Sequence, residues 1–418
     1  MRFIFVKELI KKARKNKNIY LITSDLGYRA FEGFKKEFPQ RFINVGVAEN
    51  NMIGVATGLA LTGKKVFVTG HTGFKGAWLS HWLDHLGART VGFSKYTNLQ
   101  QKDLADSVEK FLVGSVLGDI CCCQSLTACL QQWQPEIVFH LAAQPIVRKS
   151  FTDVIETFET NLMGTVNLLE AVKQTNSVQA VVIVTSDKCY QNLEKGIPFT
   201  EDSPLGGEDP YSASKACAEI ATNSFIHSFF QDASAKPSAP RVATARAGNI
   251  IGGGDWGEDR LIPDLARALR TGEKAHIRFP QAVRPWQFVL DALAGYLILA
   301  ERLYYGGNDF VGAWNFGPLD GNLWTVNRVV KTFCGENGPS LKLKHSKENA
   351  VEEKITLNLD SSKAKKQLGW FAKMPIPTFL HRTRRWYEMS IEGAPVDLLC
   401  QQDFEYYQNF SEVNDARI

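Results

Sequence analysis

Val66-Phe-Val-Thr-Gly70-His-Thr-Gly73-Phe-Lys-Gly76 decides the fold. A short run of β-branched and aromatic residues ends in three glycines at three-residue intervals, and an apolar helical run over residues 77–86 follows. The first glycine permits a tight turn after a strand. The second lets the backbone approach a pyrophosphate, and the third lets the helix pack on the sheet. The helix N-terminus then offers unpaired N–H groups and the positive end of its dipole to phosphates. The spacing is GxxGxxG, a pattern that by itself also suits a strand–helix turn with no ligand. Inside a β-α-β unit it points to Gly70, Gly73, Phe74, Lys75 and Gly76 as a cofactor-binding turn.

Working outward, residues 90–93, 137–141 and 180–185 read as further strands, β-branched and free of charge, with helices such as 161–173 between them. Such alternation predicts an α/β, Rossmann-like doubly wound parallel sheet covered on both faces. The second strand ends at Phe93-Ser94-Lys95, without the acidic residue that would hold a ribose 2′-hydroxyl, so NAD and NADP both stay open there. In Gly118-Asp119-Ile120, Asp119 either reaches the adenine edge or ends a strand. Leu141, Ala142 and Ala143 close another strand with side chains small enough for the backbone to lie against a dinucleotide. From residue 252 onward Gly, Pro, Trp and Arg become frequent. Residues 64–251 therefore read as the NAD-binding domain, and 252–395 as a smaller C-terminal substrate lobe with some segments returning to the sheet. Residues 396–418 read as a tail, polar and aperiodic from 401 on.

Charge and composition narrow the function. A net charge of +4 over 418 residues gives nucleic-acid binding no electrostatic support, though a few basic side chains suit an anionic small molecule. The longest apolar stretch, 288–305, is interrupted by Asp291, Glu301 and Arg302, so it does not span a membrane. Lys7, Glu8, Lys11, Lys12 and Arg14 stand where a signal peptide needs its apolar core, and a cytoplasmic location is expected. Eight cysteines, three of them consecutive at Cys121 to Cys123, show no ligand spacing and read as reduced thiols without a metal.

The chemistry concentrates in two motifs. Tyr211-Ser-Ala-Ser-Lys215 places a phenol and an ammonium four residues apart, on one helix face. A cation there, beside the positive charge of a nicotinamide, favours the phenolate and makes tyrosine a usable base despite its ordinary pKa near ~10. Thr185-Ser186-Asp187-Lys188-Cys189-Tyr190 follows a buried strand, and ligands of open parallel sheets sit beyond such ends. Asp187 and Lys188 form either a local ion pair or an acid and a base working on adjacent carbons.

With these motifs in place, residues 64–388 resemble the extended short-chain dehydrogenases/reductases, and within them the CDP-glucose 4,6-dehydratases. The matching runs include VTGHTGFKGAWLS, EIVFHLAAQPIVRKS, VTSDKCY, DPYSASKACAEI, ARAGNIIGGGDWGEDRLIP and VRPWQFVL. The resemblance implies NAD as cofactor and a nucleotide sugar as substrate, dehydrated to a 4-keto-6-deoxy product in deoxysugar and O-antigen biosynthesis. It implies Tyr211 as base, Ser186 on the C4 oxygen, Lys215 beside the tyrosine, Lys188 as base at C5 and Asp187 as acid at C6. Asn161 resembles the family's positioning asparagine, and a helix N-cap is the other reading. Arg246, Asn249, Arg260, Arg284 and Trp286 resemble the substrate side, where arginine suits bidentate contact with a pyrophosphate and Trp286 could equally be core. Cytosine recognition rests on the resemblance alone. The family also implies a homodimer through helices of the dinucleotide lobe. Other activities on the same fold, an epimerase or reductase, and a non-catalytic fusion protein remain as alternatives. The three cysteines after Ile120 replace residues more often charged in the family, which predicts altered local packing.

A second resemblance lies at the N-terminus. Asp25-Leu26-Gly27 and Phe42-Ile-Asn-Val-Gly-Val-Ala-Glu49 are similar to the pyrimidine-binding domain of transketolase-like enzymes, in which the residue matching Glu49 activates a thiamine cofactor. Only residues 1–63 carry it, and no GDG…N diphosphate signature follows, so thiamine chemistry is not expected. The other reading of Glu49 is an acid stabilised at a helix N-terminus. The two patterns meet at Leu61-Thr-Gly-Lys-Lys-Val-Phe-Val68, as a fusion of two coding segments would leave them.

Overall fold

The computed structural model describes residues 2–17, 19–23, 31–44, 63–95, 102–194, 196–231, 239–272, 275–277, 279–319, 323–335, 344–345 and 357–410. Internal contacts divide the chain into two units, one of residues 61–404 and one of residues 1–60 with 405–418.

In the larger unit, seven strands form one wholly parallel sheet. In chain order they are Lys65–Thr69, Arg89–Ser94, Gly114–Leu117, Ile137–His140, Ala180–Val184, Arg241–Ala247 and Gly312–Phe316. In space the first strand lies between the second and the fourth. The chain therefore winds outward in both directions from the Lys65–Thr69/Ile137–His140 pair, and the crevice above that reversal is where a ligand fits. Every residue of Ile137–His140 and Ala180–Val184 is buried, as expected for strands covered on both faces. Phe67, Phe93, Leu130, Val138, Leu168 and Val181 fill one such layer between sheet and helices, each contributing about 1.5–3 kcal/mol through burial.

The apolar run near residue 290 forms the helix Val289–Tyr305, buried along most of its length. No helix among the described residues is long and apolar enough to cross a membrane. Beside the main sheet, Asn249–Ile251, Val283–Phe288 and Leu323–Thr325 make a three-stranded sheet in the substrate lobe, with Trp286 paired to Asn249 and Arg284 to Trp324. The Gly312–Phe316 strand returns to the main sheet beside Arg241–Ala247, so the lobe is not a continuous segment of chain.

Part of the expected tail is ordered helix, Val396–Asn409. Phe404 packs its ring on Trp78, Trp82 and His85, which sequence period alone does not reveal because the contacts are long-range.

The smaller unit contains the helix Arg2–Lys15, two parallel strands, Leu21–Thr23 and Phe42–Asn44, and the helix Glu32–Glu37. Val6, Ala13, Leu21 and Phe34 form its core, and Arg14 pairs with Glu37 at 2.6 Å. Asp25, Gly27 and Glu49 lie outside the described residues.

Candidate active site

The glycine turn is built for close approach. Gly70 takes φ +74°, and a Cβ there would stand 2.7 Å from the Ala142 amide nitrogen. A Cβ on Gly76 would stand 2.0 Å from the Gly70 carbonyl oxygen, so the helix Phe74–His85 sits directly on the turn. Gly73 caps this helix in extended geometry with no side-chain cap, which leaves its first N–H groups facing the crevice. A recess of about 280 Å³ opens there, lined by Gly70, Gly73, Phe74, Lys75 and Gly76 on one side and Ile120, Leu141, Ala142 and Ala143 on the other. Small residues, a glycine turn and a bare helix N-terminus fit a dinucleotide, and nine of the residues singled out in the sequence for the cofactor come together here. Asp119, Tyr211 and Lys215 do not line it, and Asp119 is otherwise engaged. Its carboxylate is taken by Lys95 at 2.8 Å and by the Cys121 N–H at 2.9 Å, and it does not line the recess. The strand-end reading of Asp119 is the one the geometry favours. The three cysteines continue this corner, where Asn167 Nδ2 donates to the carbonyls of Ile120 and Cys121 at 3.0 Å each.

A second recess of about 300 Å³ adjoins the first, sharing Phe74, Lys75, Pro145 and Arg260 with it. Ser186, Asp187, Lys188 and Tyr211 line it, with Asn249, Arg260, Arg284 and Trp286 on the lobe side. Ser186 caps a 3-10 turn, Asp187–Cys189, at the end of the Ala180–Val184 strand. Its Oγ accepts the Lys188 N–H at 3.2 Å and donates to Asp187 Oδ1 at 3.1 Å. Asp209 caps the helix Pro210–Phe225 by accepting the Ser212 N–H at 2.9 Å, and Pro210 stands at its first position. Tyr211 is thereby fixed in the first turn, with its N–H on Ser150 Oγ at 3.2 Å.

Electrostatics separate the groups by role. Burial pushes the Asp187 carboxyl up to about 6, against the pull of Lys188, Ser186 and Arg284. Burial pushes Lys215 down to about 8, opposed by Glu219 and Cys189. Lys75 falls to about 7 through burial and then through the charges of Lys215 and Arg260. Tyr211 departs from expectation. Burial raises it to about 12, and the groups that draw it back are Ser186 and Arg260. The chain by itself does not lower this phenol.

Lys215 and Asn161 lie behind the wall of the recess. Asn161 sits in a π-helical turn, Glu159–Met163, inside a continuous helical stretch that starts at Val154, so the N-cap reading is corrected. Its Oδ1 accepts the Gln144 N–H at 2.8 Å, and its Nδ2 donates to the Gln144 carbonyl at 3.1 Å and Ser214 Oγ at 2.9 Å. The π-turn thus ties the loop after Ile137–His140 to the Tyr211 helix.

On the substrate side, Arg260 donates to both oxygens of buried Asp255, at 3.0 and 2.9 Å, and stands where the two recesses meet. Trp286 is both wall and core: it lines the recess and its indole N–H reaches the Trp324 carbonyl at 2.9 Å. Arg246 is displaced from its expected role. It lines neither recess, and its guanidinium donates to Glu219 Oε2 and Tyr190 Oη at 2.7 Å each. Strand alternation is the reason, since neighbouring residues of Arg241–Ala247 point to opposite faces and residue 246 falls on the side of the Tyr211 helix. Sequence reading missed Glu219. The spacing Tyr211, Lys215, Glu219 carried the signal, one residue per helical turn on one face. Arg148 and Asp259, paired at 2.8 Å across the mouth of the second recess, carried no comparable signal.

Comparison with known proteins agrees with this architecture. The family model described as GDP-mannose 4,6 dehydratase matches residues 67–383, and one described as transketolase, pyrimidine binding domain matches residues 1–76. The chain is 42% identical to a CDP-glucose 4,6-dehydratase of Salmonella typhimurium over 355 residues, covering 83% of this chain and 97% of the relative. A structure of MoeE5 in complex with UDP-glucuronic acid and NAD is 26% identical, with a TM-score of 0.66, and covers 78% of this chain and 99% of that one. A Bacillus anthracis dTDP-glucose 4,6-dehydratase in complex with NAD shares the fold at 23% identity and a TM-score of 0.64, over 79% and 98% of the two chains. With a family model spanning more than half its length and a relative of that identity, the chain belongs to the GDP-mannose 4,6 dehydratase family of nucleotide-sugar-modifying enzymes.

Proposed function

We propose that the chain dehydrates CDP-glucose to CDP-4-keto-6-deoxyglucose with NAD as a regenerated cofactor, a hydro-lyase reaction without net redox change. The observation that carries this reading is Asp187 next to Lys188, together with Ser186 and Tyr211, on the wall of one recess that adjoins the dinucleotide recess. An epimerase or a simple reductase has no use for a second acid–base pair there.

NAD, when bound, supplies the acceptor for the C4 hydride and gives that hydride back at C6. Tyr211 Oη takes the proton of the C4 hydroxyl, and the Ser186 hydroxyl holds the C4 oxygen. Lys215, packed beneath them, supplies the positive side of the site. Because burial holds Tyr211 near 12, the phenol needs a positive charge beside it beyond those of the chain. A ketone at C4 makes the C5–H acidic, and Lys188 takes that proton and gives it back at C5 when C6 is reduced. Asp187, its carboxyl raised to about 6, retains a protonated fraction at neutral pH and gives its proton to the C6 hydroxyl, which leaves as water. Asn161 positions the Tyr211 helix. Arg260, Arg284 and Asn249 face the sugar nucleotide, with Arg260 placed for its pyrophosphate.

Incubation with NAD and CDP-, dTDP- or UDP-glucose tests the assignment. The expected result is a 4-keto product, detected by its absorbance in alkali, formed fastest from CDP-glucose with no net NADH. Inversion at C4 without loss of water would make the chain an epimerase, and turnover only of dTDP- or UDP-glucose would overturn the base assignment.

The same reading places the enzyme in the cytoplasm, in a route to deoxysugars of lipopolysaccharide, as a homodimer. Ile155, Met163, Ile220 and Phe229, exposed along the helical segments 154–173 and 210–230, support the dimer. Light scattering behind a sizing column measures it.

A further inference from the structure

The second strand of the sheet, Arg89–Ser94, delivers Lys95 to the rim of the dinucleotide recess. At this strand end an acid binds a ribose 2′-hydroxyl, whereas a cation accommodates a 2′-phosphate. Lys95 with no acid beside it in sequence would favour the phosphate. Tertiary structure supplies the acid from the neighbouring strand. Asp119, two residues beyond Gly114–Leu117, sets Oδ2 2.8 Å from Lys95 Nζ. Its Oδ1 accepts the Cys121 N–H at 2.9 Å, so the carboxylate is held at both oxygens. Ser94, the last residue of the strand, cannot substitute for an acid, because its hydroxyl bonds to His71 Nδ1 at 2.9 Å. The hydrogen bond that Lys95 donates to Asp119 holds its ammonium above the ordinary lysine pKa, and Glu156 adds a second negative charge to the corner. A 2′-phosphate, with roughly two negative charges, would have to displace Asp119 or lie against it.

Building on the dinucleotide reading above, we propose that Asp119 sets the cofactor preference of this chain by holding Lys95 in an ion pair, so that the recess accepts a ribose 2′-hydroxyl and turns away a 2′-phosphate. A half-exposed pair of this kind adds little to folding stability. Its effect is on selectivity, because it decides which anion the ammonium meets.

Equilibrium dialysis and quenching of intrinsic tryptophan fluorescence give Kd values for NAD and NADP with the full chain. The variants are Asp119→Asn, Lys95→Ala and the double substitution. The asparagine amide oxygen still accepts the Cys121 N–H, so the corner keeps its fold while the charge is lost. The expected result is that wild type prefers NAD. In Asp119→Asn the ratio of Kd for NADP to Kd for NAD falls at least tenfold, by an amount that shrinks as salt is raised. The double variant loses that gain, since the freed ammonium is its source. A ratio within twofold of wild type in Asp119→Asn, or a gain that survives removal of Lys95, overturns the proposal while leaving NAD binding intact. A wild-type chain that binds neither dinucleotide overturns the cofactor reading, and this proposal with it.

Discussion

Asp187 shows what a single residue reveals through its surroundings. Its carboxyl is buried, and its pKa stands near 6 where an exposed aspartate would titrate near 4. As the proposed acid of the elimination it must carry a proton, so kcat should fall as pH rises through about 6. In Asp187→Asn the elimination should be lost while the C4 oxidation persists, seen as NADH absorbance that builds up and stays. The same shift has a stability consequence. A carboxyl whose folded-state pKa exceeds its unfolded value favours folding below about 4 relative to above 6, and that advantage is lost as pH rises through the folded value. Asp187→Asn should therefore raise the melting temperature at pH 8, by the equivalent of about 1–3 kcal/mol, and have little effect at pH 4. Tyr211→Phe removes the proposed C4 base and should lower kcat by about 10²–10⁴-fold, with NAD affinity measured by dialysis little changed. The sequence singled out Ser186, Asp187, Lys188 and Tyr211, which the structure gathers on one recess wall, because groups at a strand end and on a helix face follow local spacing.

At the scale of elements, the join between the Tyr211 helix and the sheet rests on one carboxylate. Glu219 accepts hydrogen bonds from Thr185, from Thr244 at 2.7 Å and from Arg246 at 2.7 Å, and so ties the helix to two strand ends at once. Arg246 extends the network to Tyr190, whose hydroxyl donates to Asn315 Oδ1 at 2.7 Å on the Gly312–Phe316 strand. Removing one partner of a buried pair leaves the other uncompensated, at a cost of about 3–5 kcal/mol. Arg246→Met should lose that much in urea denaturation, while KM for the nucleotide sugar stays near the wild-type value. A raised KM with unchanged stability would return Arg246 to the substrate side. The sequence misplaced this arginine because a motif records which residue is present, whereas strand register decides which face receives it. The expected strands over 90–93, 137–141 and 180–185 lay within a residue of those observed, since uncharged β-branched runs have few other places to go.

Across the whole molecule, the two family matches follow each other and overlap over residues 67–76, the strand and glycine turn of the larger unit. Residues 61–404 hold both recesses and all the proposed catalytic groups within one compact unit. Limited proteolysis should cut first near Lys64 and leave a fragment that still turns over CDP-glucose, followed by mass spectrometry and the alkaline absorbance assay. Loss of activity and solubility on that cut would show that the N-terminal residues serve the enzyme.

The sequence alone determined the winding of the sheet and which residues gather at the two recesses, because each is written in short-range patterns: a glycine turn, a four-residue helical spacing, a polar tripeptide after a buried strand. Tertiary structure alone decided where Arg246 and Asp119 direct their charges, how Phe404 is buried, and how far Tyr211 stands from the pKa of a free phenol. Those outcomes depend on partners dozens of residues away and on exclusion of water, and neither distance nor burial is encoded in neighbouring letters of the chain.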